Sequence, residues 1–255
     1  MREKVTAMGS FSRFDSRGYR TVAPREGYDR WARNYEETVE DAMDIALLDR
    51  VAVDWEAART VADLGCGTGR TGAWLKAHGV GEVDGIDLSP GMLEAARARG
   101  VYRSLGEAEV GATGLDPGAY DLVVSCLVDE HLADLGPLYR EAARLAAPGG
   151  RFVLVGFHPH FIIASGMPTH FDDAETGESV AIETHVHLLS HHVAAGRAAG
   201  LGPAELRERV VDDEWVALKP NWERFRGHPI SFAFVWVVES QDREGKEPDG
   251  TPQAW

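Results

Sequence analysis

The apolar positions of this chain switch between two periods. In TVADL (60–64), EVDGIDL (82–88), YDLVVSCL (120–127) and RFVLVGF (151–157) they run almost unbroken over a few residues, as in strands buried on both faces. Between these runs they recur every three or four residues, which predicts helices over 71–79, 89–100 and 135–150. Punctuation supports the boundaries. Gly79 follows the first helix, Ser89 and Pro90 open the second with Gly100 past its end, and Pro-Gly-Gly stops the third. A weaker strand fits within 101–110. Upstream, Tyr28, Trp31, Tyr35, Val39, Met43 and Leu47 make one stripe, which predicts a helix over 24–50.

After residue 157 the rhythm changes. No clean helix is predicted over 158–188, where HFDDAETGESVAIETHVHL reads as two short strands around a Thr-Gly turn. Residues 190–201 read as helix, and 205–215 and 229–239 as two closing strands. Strands alternating with helices predict an α/β fold, a Rossmann-like doubly wound sheet. The domain is expected over 23–239, flanked by a flexible N-terminus (1–22) and a flexible tail (240–255) rich in charge, Gly and Pro.

Composition narrows the function. At 44% hydrophobic and 26% charged, the 255 residues are ordinary for a globular domain. The formal net charge of −15 and the scatter of Arg among acids argue against nucleic acid and anionic membrane as partners. No apolar run reaches the length of a membrane span, and the first residues lack the apolar core of a secretory signal. The two cysteines, Cys66 and Cys126, end predicted buried strands, which fits a reduced cytoplasmic setting better than a disulfide framework.

The most informative residues are VADLGCGTGR (61–70). A buried strand ends in Asp63, and Gly65, Gly67 and Gly69 follow before a helix. Glycines there permit a tight turn and close approach of a ligand to the backbone. Gly67-x-Gly69-x-x-Gly72 formally matches a dinucleotide fingerprint, which keeps a NAD-dependent oxidoreductase open, although it starts three residues after the strand. Asp63-x-Gly65-x-Gly67-x-Gly69 starts on time.

DLGCGTG resembles the first motif of the class I S-adenosylmethionine-dependent methyltransferases, and GIDLSPGMLEAAR (85–97) resembles their second. SCLVDEHLADL (125–135) and REAARLAAPGGRFVLVGF (140–157) continue the match, which covers residues 26–157. The resemblance implies a seven-stranded, mainly parallel sheet with one antiparallel strand near the edge, an N-terminal helical cover and an insertion after the fifth strand. It implies S-adenosyl-L-methionine as cofactor, with contacts from Asp63, Gly65, Cys66, Gly67, Gly69, Asp87, Leu88, Met92, Cys126 and Tyr28. Asp87 would hold the ribose hydroxyls, since a carboxylate accepts hydrogen bonds from a vicinal diol. The third motif departs from the family's Gly-Asp-Ala. Counting back from YDLVVS places Glu109 and Val110 beside the adenine, with Glu107 as the alternative.

Methyl transfer from a sulfonium is an in-line displacement, so the protein mainly binds, orients and excludes water. A base is needed where the nucleophile carries a proton, and histidine suits neutral pH. His131 and His158 stand at the carboxyl ends of two strands and are the candidate bases; His131 could equally be a residue making local bonds at a helix start. Seven of the ten histidines lie between His158 and His192. The pairs His158/His160 and His185/His187 have usable ligand spacing, but no HExxH or Cys-based pattern is present and no metal is expected. Trp31, Tyr35, His160, Met167, His170 and Trp222 are the candidate substrate contacts, with the insertion 158–188 as a substrate-reading lid. Tyr28 and Tyr35 could reach the cofactor's carboxylate or simply dock their helix. The expected activity is methylation of an oxygen or nitrogen of a small molecule, a specialised metabolite, with a homodimer left open. A member of the fold that binds the cofactor without methylating stays as the other alternative.

Overall fold

A computed structural model describes residues 11–39 and 43–238. The expected tail over 240–255, and residues 1–10 of the expected flexible N-terminus, lie outside them.

Seven strands form the central sheet: β2 (Thr60–Leu64), β3 (Glu82–Asp87), β4 (Ser104–Glu107), β5 (Tyr120–Cys126), β6 (Ala146–Phe157), β9 (Leu201–Val210) and β10 (Pro229–Val238). Their order is β4-β3-β2-β5-β6-β10-β9. The neighbours from β4 to β6 are parallel, and β10 runs antiparallel to both β6 and β9. This is the expected sheet, with its single reversed strand next to the edge. The strand order turns round between β2 and β5, so their carboxyl ends open a crevice, where open α/β sheets bind ligands.

Helices α3 (Ile45–Leu48) and α4 (Arg70–Ala77) cover one face, where Leu47, Leu48 and Leu75 bury against Val61, Val83 and Val124. Helices α6 (Gly136–Leu145) and α8 (Leu189–Ala198) cover the other, where Leu138, Tyr139 and Ala195 meet Phe152, Phe234 and Trp236. Each fully buried side chain of this kind contributes roughly 1.5–3 kcal/mol. Helix α5 (Pro90–Arg99) starts as its sequence predicts, with Ser89 accepting the Met92 N–H at 3.1 Å and Gly100 left-handed at its end.

Four expectations need correction. The helix over 24–50 is broken: α1 (Pro24–Trp31), α2 (Tyr35–Thr38) and α3 are separate among the described residues. The stripe is real, but Trp31 and Tyr35 bury against Phe171 and Ile182 of another element, and Trp31 Nε1 donates to Thr38 Oγ1 at 2.9 Å. That contact is satisfied only by a chain that turns. Second, 158–188 does contain a helix, α7 (Pro159–Ser165), capped by the His158 ring and ended by left-handed Gly166. Third, 205–215 is not one strand. β9 stops at Val210, and Asp212 accepts the Trp215 N–H at 2.9 Å to start α9 (Asp213–Leu218). Fourth, residues 11–22 pack onto the fold. Phe11 and Val22 are buried, and β1 (Arg20–Val22) pairs in parallel with β8 (Ser179–Ile182). β8 in turn pairs with β7 (His170–Asp172), forming the expected two strands and a separate three-stranded sheet β1-β8-β7.

Candidate active site

The loop after β2 turns across the end of β3. Gly65 and Cys66 donate their N–H groups to Ile86 O at 2.7 and 3.0 Å. Gly65 and Gly67 have φ of 75° and 52°, in the left-handed region that favours glycine. A Cβ on Gly65 would meet Val128 Cγ2 at 2.3 Å, whereas one on Gly67 would point into open space. The Gly67 N–H donates to Asp87 Oδ2 at 2.8 Å and the Ser89 N–H to Asp87 Oδ1 at 2.9 Å. These bonds hold the carboxylate at the end of β3 with lone pairs left over. Burial nevertheless raises the Asp87 carboxyl above the ordinary Asp value.

A cavity of about 400 Å³ opens beside this loop. Of the sequence-predicted cofactor residues, Gly65, Gly67, Asp87, Leu88, Met92, Glu109, Val110, Cys126 and Tyr28 line it. Glu107 does not; it pairs with Arg25 at 2.6 Å. Asp63, Cys66 and Gly69 stand behind the cavity wall. Gly69 caps α4, Cys66 is a buried free thiol, and Asp63 Oδ2 accepts the Tyr102 hydroxyl at 2.8 Å. Burial pushes the Asp63 carboxyl up to about 7. Gly72 lies inside α4 where a Cβ would meet the Tyr102 ring at 2.4 Å. Its glycine serves helix packing, so the shifted dinucleotide pattern loses its last member.

Helix α1 is latched over the cavity. Asp29 accepts the Ser89 hydroxyl at 2.5 Å and the Gly91 N–H at 3.0 Å. The latch places Tyr28 in the wall between the first cavity and a second one of about 470 Å³. Tyr28, Tyr35 and Leu127 line both. Leu127 has φ 57°, a backbone strain that a non-glycine residue rarely carries and that here bends the chain between the cavities. Trp31, Tyr35, Met167, His170 and Trp222, five of the six candidate substrate contacts, line the second cavity.

His131 lies at the junction. Its Nδ1 is 2.8 Å from Glu183 O, which can only accept, so Nδ1 carries the proton. Its Nε2 then accepts from the Tyr28 hydroxyl at 2.9 Å. The other candidate base is elsewhere. His158 Nδ1 accepts the His160 N–H at 3.1 Å, and Nε2 donates to Glu208 at 2.8 Å. Both ring nitrogens are engaged, and His158 lines neither cavity. Burial lowers its pKa. It is a capping residue. His160 also lines neither cavity and meets His228 at 3.1 Å. His192 contacts the Tyr139 hydroxyl at 2.9 Å inside the core. Among the described residues, no group of three or more His, Cys, Asp or Glu is placed to hold a metal.

Two site residues escaped the sequence reading. Arg70 opens α4, pairs with Asp44 at 3.0 Å and hydrogen-bonds Tyr35. Glu130 is 2% exposed, lines the second cavity, and has one oxygen, Oε2, without a partner. Motif and periodicity carry no signal for either.

The first cavity fits an adenosyl group with a charged amino-acid end. A carboxylate faces it at the end of β3, the glycine loop leaves room at Gly67, and buried Asp63 Oδ1 lacks a partner just behind the loop. Residues 62–154 match a family described as a methyltransferase domain. An uncharacterized methyltransferase of Emericella nidulans is 31% identical over 195 residues, 64% of this chain and 65% of that protein. The demethylmenaquinone methyltransferase of Thermus thermophilus is 35% identical over 135 residues, 51% and 55% of the two chains. A putative S-adenosylmethionine-dependent methyltransferase from Listeria monocytogenes has the same fold, with a TM-score of 0.63 at 20% identity over 78% of this chain and 98% of that one. Residues 62–154 thus match a methyltransferase domain, and the fold is the one shared by class I S-adenosylmethionine-dependent methyltransferases. The chain spans between half and two thirds of the length of these two curated relatives. No described helix is long and apolar enough to cross a membrane.

Proposed function

We propose that this protein methylates an oxygen or nitrogen of a small molecule, a specialised metabolite, held in the second cavity. The carrying observation is that Tyr28 stands in the wall the two cavities share and that its hydroxyl is hydrogen-bonded to Nε2 of His131, which lines the first cavity. Asp87 would hold the ribose, Glu109 and Val110 the adenine edge, and Asp63 and Arg70 the amino-acid end. The bound cofactor supplies a methyl group on a sulfonium that is already a good leaving group. The protein's own part is to orient the acceptor and take its proton. That proton passes to Tyr28 Oη as the Tyr28 proton passes to His131 Nε2. Burial keeps the Tyr28 hydroxyl well above its ordinary pKa, so the two transfers are coupled and no free phenolate forms.

Three things support a small acceptor. The second cavity is lined by aromatic side chains, the net charge of −15 disfavours RNA, and the Thermus relative is a demethylmenaquinone methyltransferase. The insertion 158–188 supplies Met167, His170 and Phe171 to that cavity, as a substrate-reading element would. Two buried free cysteines suit the cytoplasm. The test is transfer of labelled methyl to a metabolite extract, with calorimetry of S-adenosylhomocysteine and NAD. Binding of the first but not the second, and a small labelled product, are expected. Tyr28→Phe breaks the relay and should slow single-turnover transfer about 10²-fold or more. NAD binding alone sinks the proposal.

A further inference from the structure

Glu130 takes no part in the proton relay through Tyr28 and His131. It follows Asp129 in the turn after β5, and its carboxylate lines the second cavity. Oε1 is 3.4 Å from Thr169 Oγ1 and 3.7 Å from His131 Nε2, while Oε2 is buried with no hydrogen-bond partner. The one hydrogen bond from Thr169 leaves a buried carboxylate under-satisfied, which is costly, and a group brought by a ligand that fills the cavity would offset that cost. The rest of the wall says what kind. Trp31 stacks on Phe171 at 5.5 Å and meets Tyr35 edge-on at 4.8 Å; Phe161 stacks on Trp222 at 4.8 Å. Aromatic walls around a buried carboxylate are the surroundings that favour an organic cation.

We infer that the acceptor is a primary or secondary amine, bound as its ammonium against Glu130 within the aromatic walls, and that the reaction is N-methylation. This rests on the methyl-transfer reading above. A carboxylate or phenolate acceptor would set a second negative charge beside Glu130, and a neutral hydroxyl would leave its charge unmatched. An ammonium matches it and leaves a second N–H for the Tyr28 oxygen. The atoms balance. One ammonium proton passes to Tyr28 Oη as the Tyr28 proton passes to His131 Nε2, which frees the nitrogen lone pair while Glu130 holds another N–H. That pair forms the N–C bond to the methyl as the C–S bond breaks, its electrons staying on sulfur as a neutral thioether. The product is again an ammonium, and the proton on His131 leaves to water. Arg17, Lys219 and Arg224 also line this cavity, together with Asp172, so the ammonium is placed at Glu130 and away from these cations, and monoamines are preferred to diamines.

The experiment compares aryl-alkyl amines with the alcohols, phenols and carboxylic acids of the same skeletons. Calorimetry with S-adenosylhomocysteine present measures binding, and labelled-methyl transfer measures turnover, for the wild type and Glu130→Gln. Amines should bind at least about tenfold more tightly than their oxygen counterparts, the worth of one charge-assisted bond. Glu130→Gln should abolish that preference and leave S-adenosylhomocysteine affinity within about twofold, since Glu130 lines only the second cavity. An oxygen acceptor preferred by the wild type, a preference that survives Glu130→Gln, or no amine binding at all overturns the amine assignment while cofactor binding stands. Loss of S-adenosylhomocysteine binding by the wild type overturns the methyl-transfer reading beneath it.

Discussion

Single residues in this protein are held far from their solution behaviour by burial. Asp129 and Glu130 both titrate at about 7, because removal from water disfavours the carboxylate, against 3.8 and 4.5 for the free groups. Between those values the folded protein keeps protons that the unfolded chain has released, so stability falls as pH rises through that window. His187 and His192, pushed down by burial to about 4 and 3 from 6.5, act in the opposite sense. The unfolded chain holds their protons up to 6.5, so their contribution rises with pH until then. Asp129→Asn removes one term of the first kind. Relative to wild type, its unfolding free energy should gain about 2 kcal/mol between pH ~5.5 and ~8, measured by urea denaturation at both. An unchanged gap between the two proteins would show that Asp129 titrates normally. His131 has the reverse history. Nothing in LVDEHLADL told a base from a helix-start residue; its tautomer follows from a carbonyl fifty-two residues away, Glu183 O.

At the scale of elements, caps decide what the apolar pattern left ambiguous. FII in α7 has no helical period, yet His158, Pro159 and Gly166 bracket a seven-residue helix at the end of β6. His158→Ala removes the cap to the His160 N–H and the contact to Glu208. It should cost about 1–2 kcal/mol in thermal or urea unfolding while the methyl-transfer rate stays at the wild-type level. A large rate loss with unchanged stability would restore His158 as a base. The same logic runs through α9, where Asp212 caps a helix inside a segment whose alternation reads as strand. By contrast β2, α4, β3 and α5 match their predicted bounds within a residue or two, because glycine turns, Ser-Pro starts and unbroken apolar runs are local signals.

The whole molecule couples these parts through the latch of Asp29 on α5 and the small sheet β1-β8-β7. Both cavities are lined by elements from distant stretches of chain, so filling the first should tighten the assembly. S-adenosylhomocysteine at ~100 times its dissociation constant should add about 2.7 kcal/mol to stability and raise the melting temperature by roughly 5–11 °C. Asp87→Ala, which removes the carboxylate that Gly67 and Ser89 orient, should show little of this rise at the same concentration. A full rise in the variant would place the ligand elsewhere.

Local pattern was enough for the α/β class, the glycine loop from Asp63 to Gly69, Asp87 at the end of β3, and the sheet with one reversed strand near its edge. Each depends on neighbours within a few residues: a glycine's φ, a cap, the run of a buried strand. The roles of the side chains around the second cavity depend on contacts across the fold. One aromatic stripe became two short helices around Phe171, seven histidines dispersed into caps, core contacts and surface positions, and Glu130 acquired its meaning only from the cavity it faces. A side chain's hydrogen-bond partners, burial and charge are set by what the tertiary structure brings against it, and no spacing along the chain encodes that.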